Sequence, residues 1–128
     1  MQIDHIAIWT NDLEALRSFY VTYFEAQSSP KYRNESKGFE SYFLSFANGA
    51  RIEIMSSQAL EPAPDSPKHV GLAHFAFQAG SREAVISFTQ KLREAGFQAI
   101  SEARITGDGY FESCVLDPNG NQVEIVAR

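Results

Sequence analysis

The chain carries an internal repeat, and that feature restricts its fold more than any other. Residues 3–26, IDHIAIWTNDLEALRSFYVTYFEA, lie over residues 72–95, LAHFAFQAGSREAVISFTQKLREA, without a gap. His5 falls on His74, Ala7 on Ala76, Glu14-Ala15 on Glu83-Ala84, and Ser18-Phe19 on Ser87-Phe88. After a shift of two residues, NGARIEI (48–54) also falls on NGNQVEI (119–125), so Glu53 matches Glu124. Self-similarity of this length marks two copies of one supersecondary unit, each with an early His and a late Glu.

Each copy reads alike. A short strand (3–9; 72–78) is followed by a helix with apolar residues at helical spacing. Leu13, Leu16, Phe19, Tyr20, Tyr23 and Phe24 form the first stripe; Val85, Ile86, Phe88, Leu92 and Ala95 form the second. Thr10 or Asn11 is expected to cap the first helix, with Glu14 completing a capping box on Asn11; Ser81 is expected to cap the second, and Gly96 to stop it. A further short strand is expected near 27–32 and 97–102. Two more strands follow, joined by turns at Asn48-Gly49 and Asn119-Gly120. The expected fold is α+β: two tandem βαβββ modules, 1–57 and 70–128, in a single domain spanning 1–128. Residues 58–69, with Pro62, Pro64 and Pro67, read as the linker.

Strand parity then assigns faces. Ile6, Ile8, Ile52, Ile54, Phe75, Phe77, Val123 and Ile125 are expected to cover the helices. His5, Ala7, Trp9, Arg51, Glu53 and Met55 then share the opposite face in the first module. His74, Ala76, Gln78, Gln122 and Glu124 share it in the second. Two half-sheets related by duplication can curl into one mixed-sheet cup with the helices outside, its floor lined by two His and two Glu.

A carboxylate in the middle of an apolar strand is costly unless something compensates its charge. Two imidazoles and two carboxylates around a point suit one divalent metal, of the kind taken by zinc, nickel, cobalt, manganese or iron rather than calcium or magnesium. Such a cation offsets the buried charges. Four protein ligands on a six-coordinate ion leave two positions for water or substrate. Singly, each His or Glu is more simply a hydrogen-bonded or half-exposed strand residue; the matched duplication on one face favours the metal. His69 has no repeat partner and reads as surface. Trp9 and Tyr42 suit either pocket walls or core.

Composition narrows the class of function. The formal net charge is −5 and there is no basic run, which argues against a nucleic-acid partner. No apolar stretch reaches membrane-spanning length, and the first residues do not resemble a secretory leader. Cys114 is the single cysteine; it reads as a buried structural thiol in a reducing cytoplasm.

The paired modules and the pattern DHIAI…IEIM…LAHFAF…DPNGNQVEIV resemble the vicinal oxygen chelate superfamily, which groups glyoxalase I, bleomycin-resistance proteins and extradiol dioxygenases. The resemblance covers essentially the whole chain, and its most specific pieces are DHIAI and DPNGNQVEI. In the glyoxalase I branch it implies that His5, Glu53, His74 and Glu124 bind the metal. It also implies proton transfer by a ligand carboxylate, Glu124 above all, with Glu53 as its counterpart. The implied activity is that of a metal-dependent lyase or isomerase converting a small α-oxo or α-hydroxycarbonyl compound through a metal-bound enediolate. Trp9, Arg51, Met55 and Tyr42 are the expected substrate-pocket residues, and a homodimer is expected because closed two-fold dimers are the commonest oligomers. The alternatives are an antibiotic-sequestering binding protein and a metal-dependent dioxygenase. One departure stands out: glutathione-using glyoxalases carry an arginine near the end of the first strand, where this chain has Trp9.

Overall fold

A computed structural model describes residues 1–66 and 68–127; Pro67 of the linker and Arg128 at the end of the second module lie outside the described residues. The chain divides into two compact units, 1–63 and 64–128, so the division falls inside the proline-bearing linker.

In the first unit, β1 (His5–Trp9) leads into α1 (Leu13–Tyr23), β2 (Gln27–Ser28), β3 (Tyr32–Asn34), a 3₁₀ turn (Glu35–Lys37), β4 (Phe39–Ser45) and β5 (Arg51–Ser57). The strands pair in the order β1-β5-β4-β2, with β3 also on β4. In the second unit, β6 (His74–Gln78) is followed by α2 (Arg82–Glu94), β7 (Ala99–Ile105), β8 (Phe111–Leu116) and β9 (Gln122–Ala127). Their order is β6-β9-β8-β7. Both sheets are mixed: β1 runs parallel to β5 and β6 to β9, while the remaining pairs are antiparallel. The α+β class and the two repeated modules are therefore as expected. The first module breaks the strand beside β4 into β2 and β3, where the second has the single irregular strand β7, and the 3₁₀ turn has no counterpart among the described residues of the second.

The two-residue shift in the repeat has a physical location. α1 has 11 residues and α2 has 13. After α1 the chain turns through Glu25 at φ 57°, and after α2 through Gly96 at φ 93°. Glu25 thus occupies the left-handed position that glycine fills without steric cost in the second copy.

The first cap differs from expectation. Asp12 caps α1, its Oδ1 accepting from the Ala15 amide at 2.9 Å, while Thr10 Oγ1 accepts from the Asp12 amide at 3.0 Å. Glu14 is drawn elsewhere, accepting from the Tyr42 hydroxyl at 2.8 Å and pairing with Lys31 Nζ at 2.8 Å. Ser81 caps α2 as expected, accepting from the Ala84 amide at 3.1 Å.

Each core lies between a helix and one sheet face. Leu16, Phe19 and Tyr20 of α1 are buried with Leu44, Ile52 and Ile54; Val85 and Leu92 of α2 are buried with Val115, Val123 and Ile125. Ile86, expected in the second stripe, is exposed, and Ala95 is exposed as well. Thr89 takes the buried place instead, its hydroxyl 2.6 Å from both the Val85 carbonyl and the Ser113 hydroxyl. A buried hydroxyl is tolerated where it is fully hydrogen-bonded.

Candidate metal centre

The parallel register sets the site. His5 stands beside Arg51 and Ala7 beside Glu53; in the second module His74 stands beside Gln122 and Ala76 beside Glu124. With Ile52, Ile54, Val123 and Ile125 buried on the helix side, Glu53 and Glu124 point to the other face, where the His residues also lie. Nε2 of His5 is 3.8 Å from Oε2 of Glu53, and Nε2 of His74 is 3.2 Å from Oε2 of Glu124. The carboxylates are the sheltered partners, at 18% and 17% side-chain exposure.

The donor set fits a transition metal or zinc. Two donors at 2.0–2.2 Å from one ion stand roughly 2.9–3.4 Å apart. The second pair is within that range, and the first closes to it by a few tenths of an ångström. Among the described residues no three His, Cys, Asp or Glu side chains gather at metal-binding spacing; each module supplies one His–Glu pair.

The two pairs differ in their surroundings. Asp4 Oδ2 accepts from Nδ1 of His5 at 2.8 Å and from Nη2 of Arg51 at 2.6 Å, and the His5 and Arg51 hydrogen bonds hold the Asp4 carboxyl below its usual range. The Arg51 guanidinium lies 4.5 Å from the ring centre of Phe43, and Phe43 meets the His5 ring edge-on at 5.4 Å. In the second module, burial raises the Glu124 carboxyl above its ordinary value; nearby His74 offsets this, while Glu112 adds to it.

Of the expected pocket residues, Trp9 and Met55 lie side by side in the β1–β5 register, with Trp9 50% exposed and edge-on to Phe39. Arg51 is engaged with Asp4. Tyr42 requires correction. It pairs with Ile54 across β4 and β5, and its hydroxyl reaches Glu14 on α1, so it belongs to the helix side. The residue opposite Glu53 is Phe43. Sequence parity, carried across the hairpin from Glu53, contains the signal for Phe43 but needs the hairpin register. A cavity of about 480 Å³ in the first unit is lined by Thr10, Asn11, Arg33, Phe39, Ser56 and Ser57 among others, and by none of those four expected residues. Arg33 there is paired with Glu40 at 2.7 Å.

No helix among the described residues is long and apolar enough to cross a membrane.

Comparison with known proteins gives the family. The profile of the Glyoxalase/Bleomycin resistance protein/Dioxygenase superfamily matches residues 2–125. "Uncharacterized protein YqjT" of Bacillus subtilis (strain 168) is 32% identical over 129 residues, covering 96% of both chains. The glyoxalase family protein of Enterococcus faecalis superposes with a TM-score of 0.80 at 26% identity, over 98% of this chain and 96% of that one. Glyoxalase I of Zea mays superposes with a TM-score of 0.80 at 18% identity; this chain is covered to 99% but spans 44% of the maize chain. The chain thus belongs to the glyoxalase/bleomycin resistance protein/dioxygenase superfamily.

Proposed function

We propose that the protein is a metal-dependent lyase or isomerase of glyoxalase I type, with His5, Glu53, His74 and Glu124 holding one divalent ion. The observation that carries this reading is the repetition of one chemical unit. Each module presents a His Nε2 and a Glu Oε2 on the same sheet face at the same register. Membership of a superfamily that includes glyoxalases supports it.

The ion, when bound, supplies Lewis-acid stabilisation of negative charge on neighbouring substrate oxygens. The chain's own residues do the rest. Glu124 accepts the carbon-bound proton of an α-hydroxycarbonyl at its Oε atom and returns it to the adjacent carbon. Its burial raises its proton affinity in the direction a general base at neutral pH requires. Trp9 and Met55, next to one another along the strands, form an apolar wall for the substrate.

Two donors per module make a weak site, so both pairs must meet, either within a chain or across a homodimer. The exposed face of β1 and β6, with Ala7, Trp9 and Ala76, gives such an assembly apolar surface to cover. The test is elemental analysis of the purified protein, its mass by light scattering, and a screen of thiol hemithioacetals and α-hydroxycarbonyls with and without glutathione. One metal per site with isomerase turnover is expected. A metal-free protein that binds a small molecule without turnover would overturn the reading in favour of sequestration.

A further inference from the structure

The two histidines are matched by the repeat, yet they are held in different ways. Three side chains close a ring of contacts with His5: Asp4 bonds Nδ1 of His5 and also the Arg51 guanidinium, Arg51 covers Phe43, and Phe43 packs edge-on against His5. The backbone joins in, since the Arg51 amide donates to the Asp4 carbonyl at 3.0 Å. The register identifies the counterparts in the second module. Ala73 precedes His74, Gln122 stands beside His74 as Arg51 stands beside His5, and Cys114 faces Glu124 as Phe43 faces Glu53. None of these three carries a charge or a ring. Among the described residues, Nδ1 of His74 has no hydrogen-bond partner.

We infer that Asp4, Arg51 and Phe43 are positioning residues that present His5 as a ready-made metal donor, and that His74 lacks this preparation. The inference rests on the four-ligand reading above. A carboxylate paired to an arginine only accepts hydrogen bonds, so Nδ1 of His5 carries the ring proton and Nε2 keeps its lone pair. At His74 the ring nitrogen facing a carboxylate at 3.2 Å is Nε2 itself. Without a metal, that nitrogen holds the proton and must lose it before coordinating. The first module therefore captures the ion, and the second completes the site. Outer partners of this kind typically change metal affinity about 10–100-fold. The exposure of Asp4 and Arg51 sets the expectation at the lower end.

Two measurements decide it. In chelator-treated protein at about pH 8, long-range proton–nitrogen spectra should show His5 as the Nδ1–H tautomer and His74 as Nε2–H. Asp4→Ala should abolish the His5 pattern, and Asp4→Asn, whose amide oxygen still accepts, should restore it. Identical tautomers in both histidines, or an unchanged His5 pattern in Asp4→Ala, would overturn the inference even if metal binds. In cobalt titrations, Asp4→Ala and Arg51→Gln should each weaken binding about 10-fold, with Gln122→Ala close to wild type. The pair Ala73→Asp with Gln122→Arg should tighten it. Equal losses at Arg51 and Gln122 would also overturn the inference. Wild-type protein that takes up no cobalt would remove the four-ligand reading, while the tautomer spectra would still decide the brace.

Discussion

Nε2 of His74 lies 3.2 Å from Oε2 of Glu124, and the carboxylate of that pair is sheltered enough for burial to raise its proton affinity. A ligand that is also a base should separate under mutation. Glu124→Gln keeps a coordinating oxygen but cannot accept a proton, so turnover should fall on the order of 100 to 10,000-fold while metal stoichiometry falls far less. Glu53→Gln is the internal control, with a milder loss of turnover. Metal analysis and kinetics on both variants check this; full activity in metal-loaded Glu124→Gln would remove Glu124 as base.

Tyr42, Glu14 and Lys31 form a second testable unit. The hydrogen bonds from Lys31 and then Tyr42 hold the Glu14 carboxyl below its ordinary value. A lowered folded value means that the unfolded chain binds the proton more readily. The stabilisation is therefore complete above the ordinary carboxylate range and is lost as pH falls through the folded value. Tyr42→Phe should cost about 0.5–1.5 kcal/mol at pH 7, and the difference from wild type should shrink on acidification. Urea melts at pH 7 and pH 3 measure it; a constant gap would contradict the assignment.

Thr89 donates to the Val85 carbonyl, which leaves the Ser113 hydroxyl donating to Thr89. Thr89→Val removes that acceptor in a fully buried place and should destabilise by about 1–3 kcal/mol. Adding Ser113→Ala removes the orphaned group and should return a large part of the loss. A double-mutant cycle by denaturant melts reads the coupling; strictly additive losses would refute it.

Cys114 faces Glu124 across β8 and β9, and burial, with Glu124 adding to it, pushes its thiol up to about 11. The folded chain thus keeps its proton where the unfolded chain has lost it, and stability should fall as pH rises from the ordinary thiol range towards 11. Iodoacetamide should modify native protein at pH 8 far more slowly than urea-unfolded protein. Equal rates would show an accessible thiolate.

The repeat, the period of its strands and the placing of His and Glu on one face were all determined by the sequence itself. They rest on local rules: a strand alternates faces wherever it sits, and a duplicated pattern folds twice. What failed was set by neighbours. Tyr42, expected in the substrate pocket, lies on the helix side because its facing depends on how β4 registers against β5 across residues 46–50. Ile86 lies off the buried stripe of Val85, Thr89 and Leu92, whose polar member is satisfied by the Ser113 hydroxyl from a distant strand. Asp12 caps α1, one residue later than the capping-box pattern on Asn11 implied, with Thr10 Oγ1 accepting from its amide. The Asp4–Arg51–Phe43 brace was out of reach for the same reason. Its members are separated by up to 47 residues, and they meet because β5 lies between β1 and β4, a neighbour relation that tertiary pairing alone decides.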